Sequence, residues 1–186
     1  MGGSSVSNAR RDYQQFSWED LGDLELGRPN LGLSVPVLVY RLMQYTLRDT
    51  LVSAYDARTA AQLFVRAGRL AGTHFCRNLL DTRLAPNLFF AQLQETLREL
   101  KIGLLRIEQF DPQTLEMLLS VAEDLDCSGL PVTDETVCEY DEGFIAGILE
   151  AYTGRSFTVR EIDCWASGER VCRFEIRPRK QDPDEC

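Results

Sequence analysis

Three of the six cysteines of this 186-residue chain fall with one glutamate into a single pattern, C-x22-E-x2-C-x7-C, made by Cys138, Glu161, Cys164 and Cys172. A structural zinc site closes with four ligands and accepts thiolate together with carboxylate, so such a pattern can tie distant parts of a chain to one point. Ser156 to Glu161 and Cys172 to Ile176 alternate as strands about the turn Ala166-Ser167-Gly168. That puts Phe157, Val159 and Glu161 on one face of the first strand and Cys172, Phe174 and Ile176 on one face of the second. Cys164 stands where the first strand gives way, and a bulge there would swing its sulfur towards Glu161 and Cys172. Cys138 precedes a helical run, Glu139 to Tyr152, whose N-terminus favours a thiolate. The competing reading is ordinary core positions: buried free cysteines pack as small apolar groups, and C-x7-C is a weaker signature than paired C-x2-C knuckles. Cys127, ahead of Ser128-Gly129 in a loop, is an alternative ligand.

Twenty basic against 29 acidic residues leave a net charge of −9, which argues against nucleic acid or an anionic membrane surface as partner. No apolar stretch approaches the ~20 residues of a membrane helix, because Leu33 to Tyr40 is broken by Ser34 and Pro36. The N-terminus has no apolar signal region. Six cysteines without one point to a reducing cytoplasm, where thiols serve as ligands or core fillers. The expected organisation is a disordered leader over 1–14, a single domain over 15–178 and a polar tail over 179–186 that carries Cys186.

Within the domain, helical periods start after Pro36, run from Arg58 to Leu80, and resume from Asn87 to Lys101. Gly68 and Gly72 share a face of the second helix, where they predict close backbone approach to another element. From Leu105 the period becomes two, with a hairpin around Asp111-Pro112 to Val121. Helices followed by strands, without alternation, predict an α+β fold: a helical N-terminal half packed on a roughly four-stranded antiparallel sheet. The single histidine, His74, leaves no Ser-His-Asp or Cys-His system to build, and no glycine-rich nucleotide loop is present. Catalysis is therefore not the expected role. Phe89, Leu93, Met117, Phe144 and Ile148 are the candidate lining of an apolar ligand cavity, against the plainer reading that they are core.

The stretch CEYDEGFIAGILEAYTGRSFTVREIDCWASGERVCRFEI, from Cys138 to Ile176, resembles the 4-vinyl reductase, or hydrocarbon-binding, domain family. Cys138, Gly143, Gly147, Gly154, Glu161, Cys164, Gly168 and Cys172 fall on that family's pattern of cysteine, glycine-bearing helix, glycine turn, glutamate strand and final cysteine-glycine-cysteine. The resemblance implies one structural zinc held by Cys138, Glu161, Cys164 and Cys172. It also implies the ligand-binding fold shared by nitric-oxide-sensing haem domains and TRAPP vesicle-tethering subunits, a hydrophobic or aromatic small molecule as ligand, and pairing into homodimers. Phenol-sensing members anchor the hydroxyl with His and Trp. Here His74 is the only histidine and Trp165 belongs to the cysteine hairpin, so that anchor is unmatched. The expectation is a stand-alone zinc-containing sensor or carrier acting through an unidentified protein effector. A tetrapyrrole vinyl reductase, or its accessory protein, and a TRAPP-like scaffold are the alternatives.

Overall fold

The two periodicities become five helices and four strands in a computed structural model of the chain, which describes residues 16–179. The expected leader over 1–14 and Cys186 lie outside those residues, as does the tail beyond 179. Two units are described separately, dividing at Ser34 and Val35. The first holds a 3₁₀ turn, Trp18–Leu21, and a single-turn helix α1, Leu24–Gly27, whose first turn is capped by the Asp23 side chain on the Leu26 N–H at 2.9 Å.

The second unit contains helices α2 (Val37–Ala54), α3 (Ala57–Leu79), α4 (Pro86–Glu99) and α5 (Glu139–Thr153). Its strands are β1 (Leu104–Phe110), β2 (Met117–Ala122), β3 (Phe157–Asp163) and β4 (Cys172–Pro178). They form one antiparallel sheet in the order β1-β2-β4-β3, so β4 is central although last in the chain. Strict alternation sorts β3: Phe157, Val159 and Glu161 are buried while Thr158, Arg160 and Ile162 face out. Cys172, Phe174 and Ile176 do the same on β4, and Met117, Leu119 and Val121 on β2. This α+β arrangement is the one the periodicities predict.

Helices cover the inner face of the sheet, α5 against β3 and α4 against β1. The closest helix contact is α3 on α5, and glycines make it. A Cβ built on Gly68 or Gly72 would run into the carbonyls of Tyr140 or Phe144, and one on Gly143 or Gly147 into those of Val65 or Arg69. Each helix thus lays two glycines against the backbone of the other, and the pair expected on α3 finds its partner inside the same chain. Gly154, at φ 71°, ends α5 in the left-handed region where glycine carries no Cβ strain.

Candidate metal centre and adjoining cavity

Four buried sulfurs converge at the start of α5. Cys138 is its N-cap, Cys164 follows β3, Cys172 opens β4, and Cys127 comes from the loop after β2. All four Sγ atoms lie within 4.8 Å of one another, and the five described cysteines are free thiols. Cys138 is 3.8 Å from both Cys164 and Cys172, while Cys127 and Cys172 are 3.0 Å apart. A tetrahedron of Zn–S bonds of about 2.3 Å has edges of about 3.8 Å, which two of the three separations match. The donor set therefore fits zinc, with Cys127, Cys138, Cys164 and Cys172 as the residues that would hold it.

The backbone explains how Cys164 arrives. The β3–β4 register slips between Glu161 and Asp163, a bulge that turns Ile162 outward to 45% exposure and redirects the chain that follows. Cys164 then sits in a tight turn, its N–H donating to Ser167 Oγ at 2.9 Å. Thiols this close cannot all ionise. Contact with the Cys127 sulfur is the largest influence on each of the others: it pulls the Cys164 thiol down and pushes those of Cys138 and Cys172 up.

Glu161, expected as the fourth ligand, is buried nearby but is not among the four groups that share the 4.8 Å cluster. Its Oε2 accepts the N–H groups of Val137 and Cys138 at 3.1 and 3.0 Å, and so anchors the entry to α5. Oε1 is buried without a partner among the described residues, and burial pushes the carboxyl up to about 8. Cys127 takes the fourth place because its loop is fixed from two sides. Asp124 Oδ1 accepts the N–H groups of Asp126 and Cys127 at 2.8 and 3.1 Å, an Asx-type turn. Asp126 in turn accepts Tyr40 Oη and Gln44 Nε2 from α2, both at 2.7 Å. The spacing Asp124-x-Asp126-Cys127 carried this signal, but a loop has no period to mark a cysteine as inward.

Beside the cluster, between α4, α5 and the sheet, lies a narrow cavity that admits the centres of water-sized spheres over about 30 Å³. Leu93, Phe144 and Ile148 line it together with Phe90, Leu97 and Leu119. Phe89 and Met117 do not. The Phe89 ring stacks on Tyr152 at 3.7 Å, and Met117 sits two residues along β2 from Leu119, roughly 7 Å away, beside Ile176. The polar side chains of the wall are Asp124 and Asp141. Burial holds both carboxyls above their ordinary range, Asp124 at about 6 and Asp141 well above its usual value, and each pushes further because acidic neighbours surround it.

A small ligand-binding module of mixed helix and sheet, with a thiol cluster pinning its C-terminal hairpin, is what this geometry defines. Residues 117–178 match the family model of the 4-vinyl reductase domain, in line with the resemblance of the cysteine hairpin. Two uncharacterized proteins of Methanocaldococcus jannaschii are similar: one is 31% identical over 88 residues, 47% of this chain and 52% of the relative. The other is 30% identical over 106 residues, 57% of this chain and 60% of the relative. The chain thus spans about half the length of the relatives it matches.

Among solved structures, the phenol-responsive sensory domain of the transcription activator PoxR superposes with a TM-score of 0.63 at 16% identity, over 82% of this chain and 79% of that one. A trafficking protein particle complex subunit 3 from Naegleria fowleri, covalently bound to palmitic acid, gives 0.61 at 10% identity over 77% and 95%. An H-NOX protein from S. oneidensis gives 0.51 at 13% identity over 88% of each chain. The fold is the one common to these proteins.

Proposed function

We propose that this chain is a zinc-containing binding domain for a small apolar or aromatic molecule, serving as a sensor or carrier through a partner chain. The observation that carries this reading is the shared framework of cluster and cavity. The 124–127 loop supplies Asp124 to the cavity wall and Cys127 to the sulfurs, while α5 supplies Asp141 and Cys138. When bound, zinc would supply a closed structural cross-link, with no open position for Lewis-acid chemistry. Cys127 and Cys138 hold the loop and helix that bound the cavity, Cys164 and Cys172 hold the hairpin, and Glu161 orients the helix entry. The likeness to a phenol-responsive sensory domain and to a palmitate-bound subunit supports a cavity with a ligand.

Two copies pair, in this proposal, through the outer face of α2, where Leu38, Leu42 and Met43 are 75%, 63% and 62% exposed. The inner face of the same helix is polar, spent on Asp126, Leu125 and Val137 by Tyr40, Arg41, Gln44 and Arg48. An isologous dimer is the commonest cover for such a surface.

The test is elemental analysis and native mass spectrometry on protein purified without chelator. One zinc per chain is expected. Cys127→Ser should release it together with thermal stability, because the binding free energy is part of the folding free energy. Glu161→Gln should keep it. Metal retained by Cys127→Ser and lost by Glu161→Gln would return the fourth position to Glu161, and a metal-free wild type would remove zinc from the reading.

A further inference from the structure

The cavity wall is hydrocarbon except at one end, where Asp124 and Asp141 face it. Asp124 has committed Oδ1 to two backbone N–H groups of its own turn. Asp141 has not: its Oδ2 is shut off from solvent and meets no hydrogen-bond donor among the described residues. A carboxyl oxygen of each aspartate lies within 4.8 Å of the other, so neither can serve as the other's counter-charge. No Lys or Arg lines the cavity. The Arg41 guanidinium is engaged by the carbonyls of Leu125 and Asp124 at 2.8 and 3.3 Å, and that of Arg48 by Glu139 and the Val137 carbonyl. Glu161, Asp126 and the thiols add further negative or acceptor groups behind the aspartates. A buried acceptor left without a donor is costly, and nothing among the described residues supplies one.

We propose that the cavity takes a ring-sized apolar molecule bearing one basic nitrogen, which donates to Asp141 Oδ2 while the hydrocarbon part lies among Leu93, Phe144 and Ile148. The proposal rests on the reading of the cavity as a small-molecule site and narrows its ligand. The nitrogen and Oδ2 share one proton and one hydrogen bond whichever atom holds the proton, so charge balances in the buried site. A carboxylate head would instead add like charge beside two aspartates. A neutral hydroxyl satisfies the acceptor and leaves the surrounding negative field uncompensated. The present volume, about 30 Å³ at water-sized centres, holds about two waters by that measure, so a ring enters only as leucine and phenylalanine rotamers yield.

The experiment holds the ring constant and varies the head. Binding of benzylamine, benzyl alcohol, benzoate and toluene to the full-length metal-loaded protein is measured by calorimetry and ligand-detected NMR. Benzylamine should bind about tenfold more tightly than benzyl alcohol, the advantage of a charge-assisted over a neutral hydrogen bond, and benzoate should not compete. Asp141→Asn, nearly isosteric, should bring benzylamine down to the level of benzyl alcohol and leave toluene unchanged. Benzyl alcohol or benzoate matching benzylamine in the wild type would overturn the inference with the cavity reading intact, and that comparison needs no variant. So would an undiminished amine advantage in Asp141→Asn, or displacement of benzylamine by equimolar ammonium chloride. Failure of all four probes, toluene included, would overturn the cavity reading itself.

Discussion

Burial raises the carboxyl of Glu161 to about 8 from its ordinary 4.5, even though Oε2 receives two backbone N–H groups. Desolvation outweighs those bonds because Oε1 is left without a donor. In metal-free protein the folded state therefore holds a proton that the unfolded chain gives up. Its stability contribution is complete below the ordinary 4.5 and is lost as pH rises through about 8. Glu161→Gln removes the titration. The variant should gain on metal-free wild type by roughly 2 kcal/mol across that window, read as urea midpoints at successive pH values. A gap that stays constant with pH would mean that the group titrates normally. The sequence brought this residue to the right neighbourhood, since two-residue alternation fixes its face of β3. Side-chain direction at a bulge follows no period, and so whether a carboxylate beside three thiols points at sulfur or at backbone was not legible.

At the level of elements, helices and strands were readable because their periods are long and uninterrupted. Gly68 and Gly72 announced a close contact on α3. The partner was not readable, because Gly143 and Gly147 lie more than 70 residues on and only the folded chain sets the two pairs against each other. That contact sets a prediction. Gly143→Ala should destabilise by roughly 3 kcal/mol or more, since its methyl meets the rigid carbonyl of Val65 with no flexible side chain to yield. Gly27→Ala, in α1 with no atom within 4 Å of the added methyl, should change stability by less than about 1 kcal/mol. Thermal melts of the two variants side by side check this; equal effects would mean that α3 and α5 do not interlock. Helix α2 is the reverse case. Its apolar positions were visible, but their surplus over one core left open which way the helix turns them. The side chains that grip the 124–127 loop settle its orientation, with Gln44 its one buried residue.

For the whole molecule, that orientation makes the assembly state a measurable expectation. Leu38→Glu with Leu42→Glu should shift light scattering from twice 21.1 kDa to 21.1 kDa, with the helical circular-dichroism signal retained. No helix among the described residues is long and apolar enough to cross a membrane, so a second copy rather than a bilayer core is the cover tested. A wild type that stays at 21.1 kDa over micromolar concentrations would leave that face to another chain. The stretch from Asp124 to Cys127 belongs to three places at once: the cavity wall, the seat of α2 and the sulfur cluster. Four consecutive residues have too few torsions to move independently. By thermodynamic linkage, an occupant that shifts Asp124 must alter metal affinity at Cys127 and pairing strength at α2, and each of those must alter its own affinity by the same factor. Such a stretch works as a three-way junction, through which news of any one binding event reaches the other two.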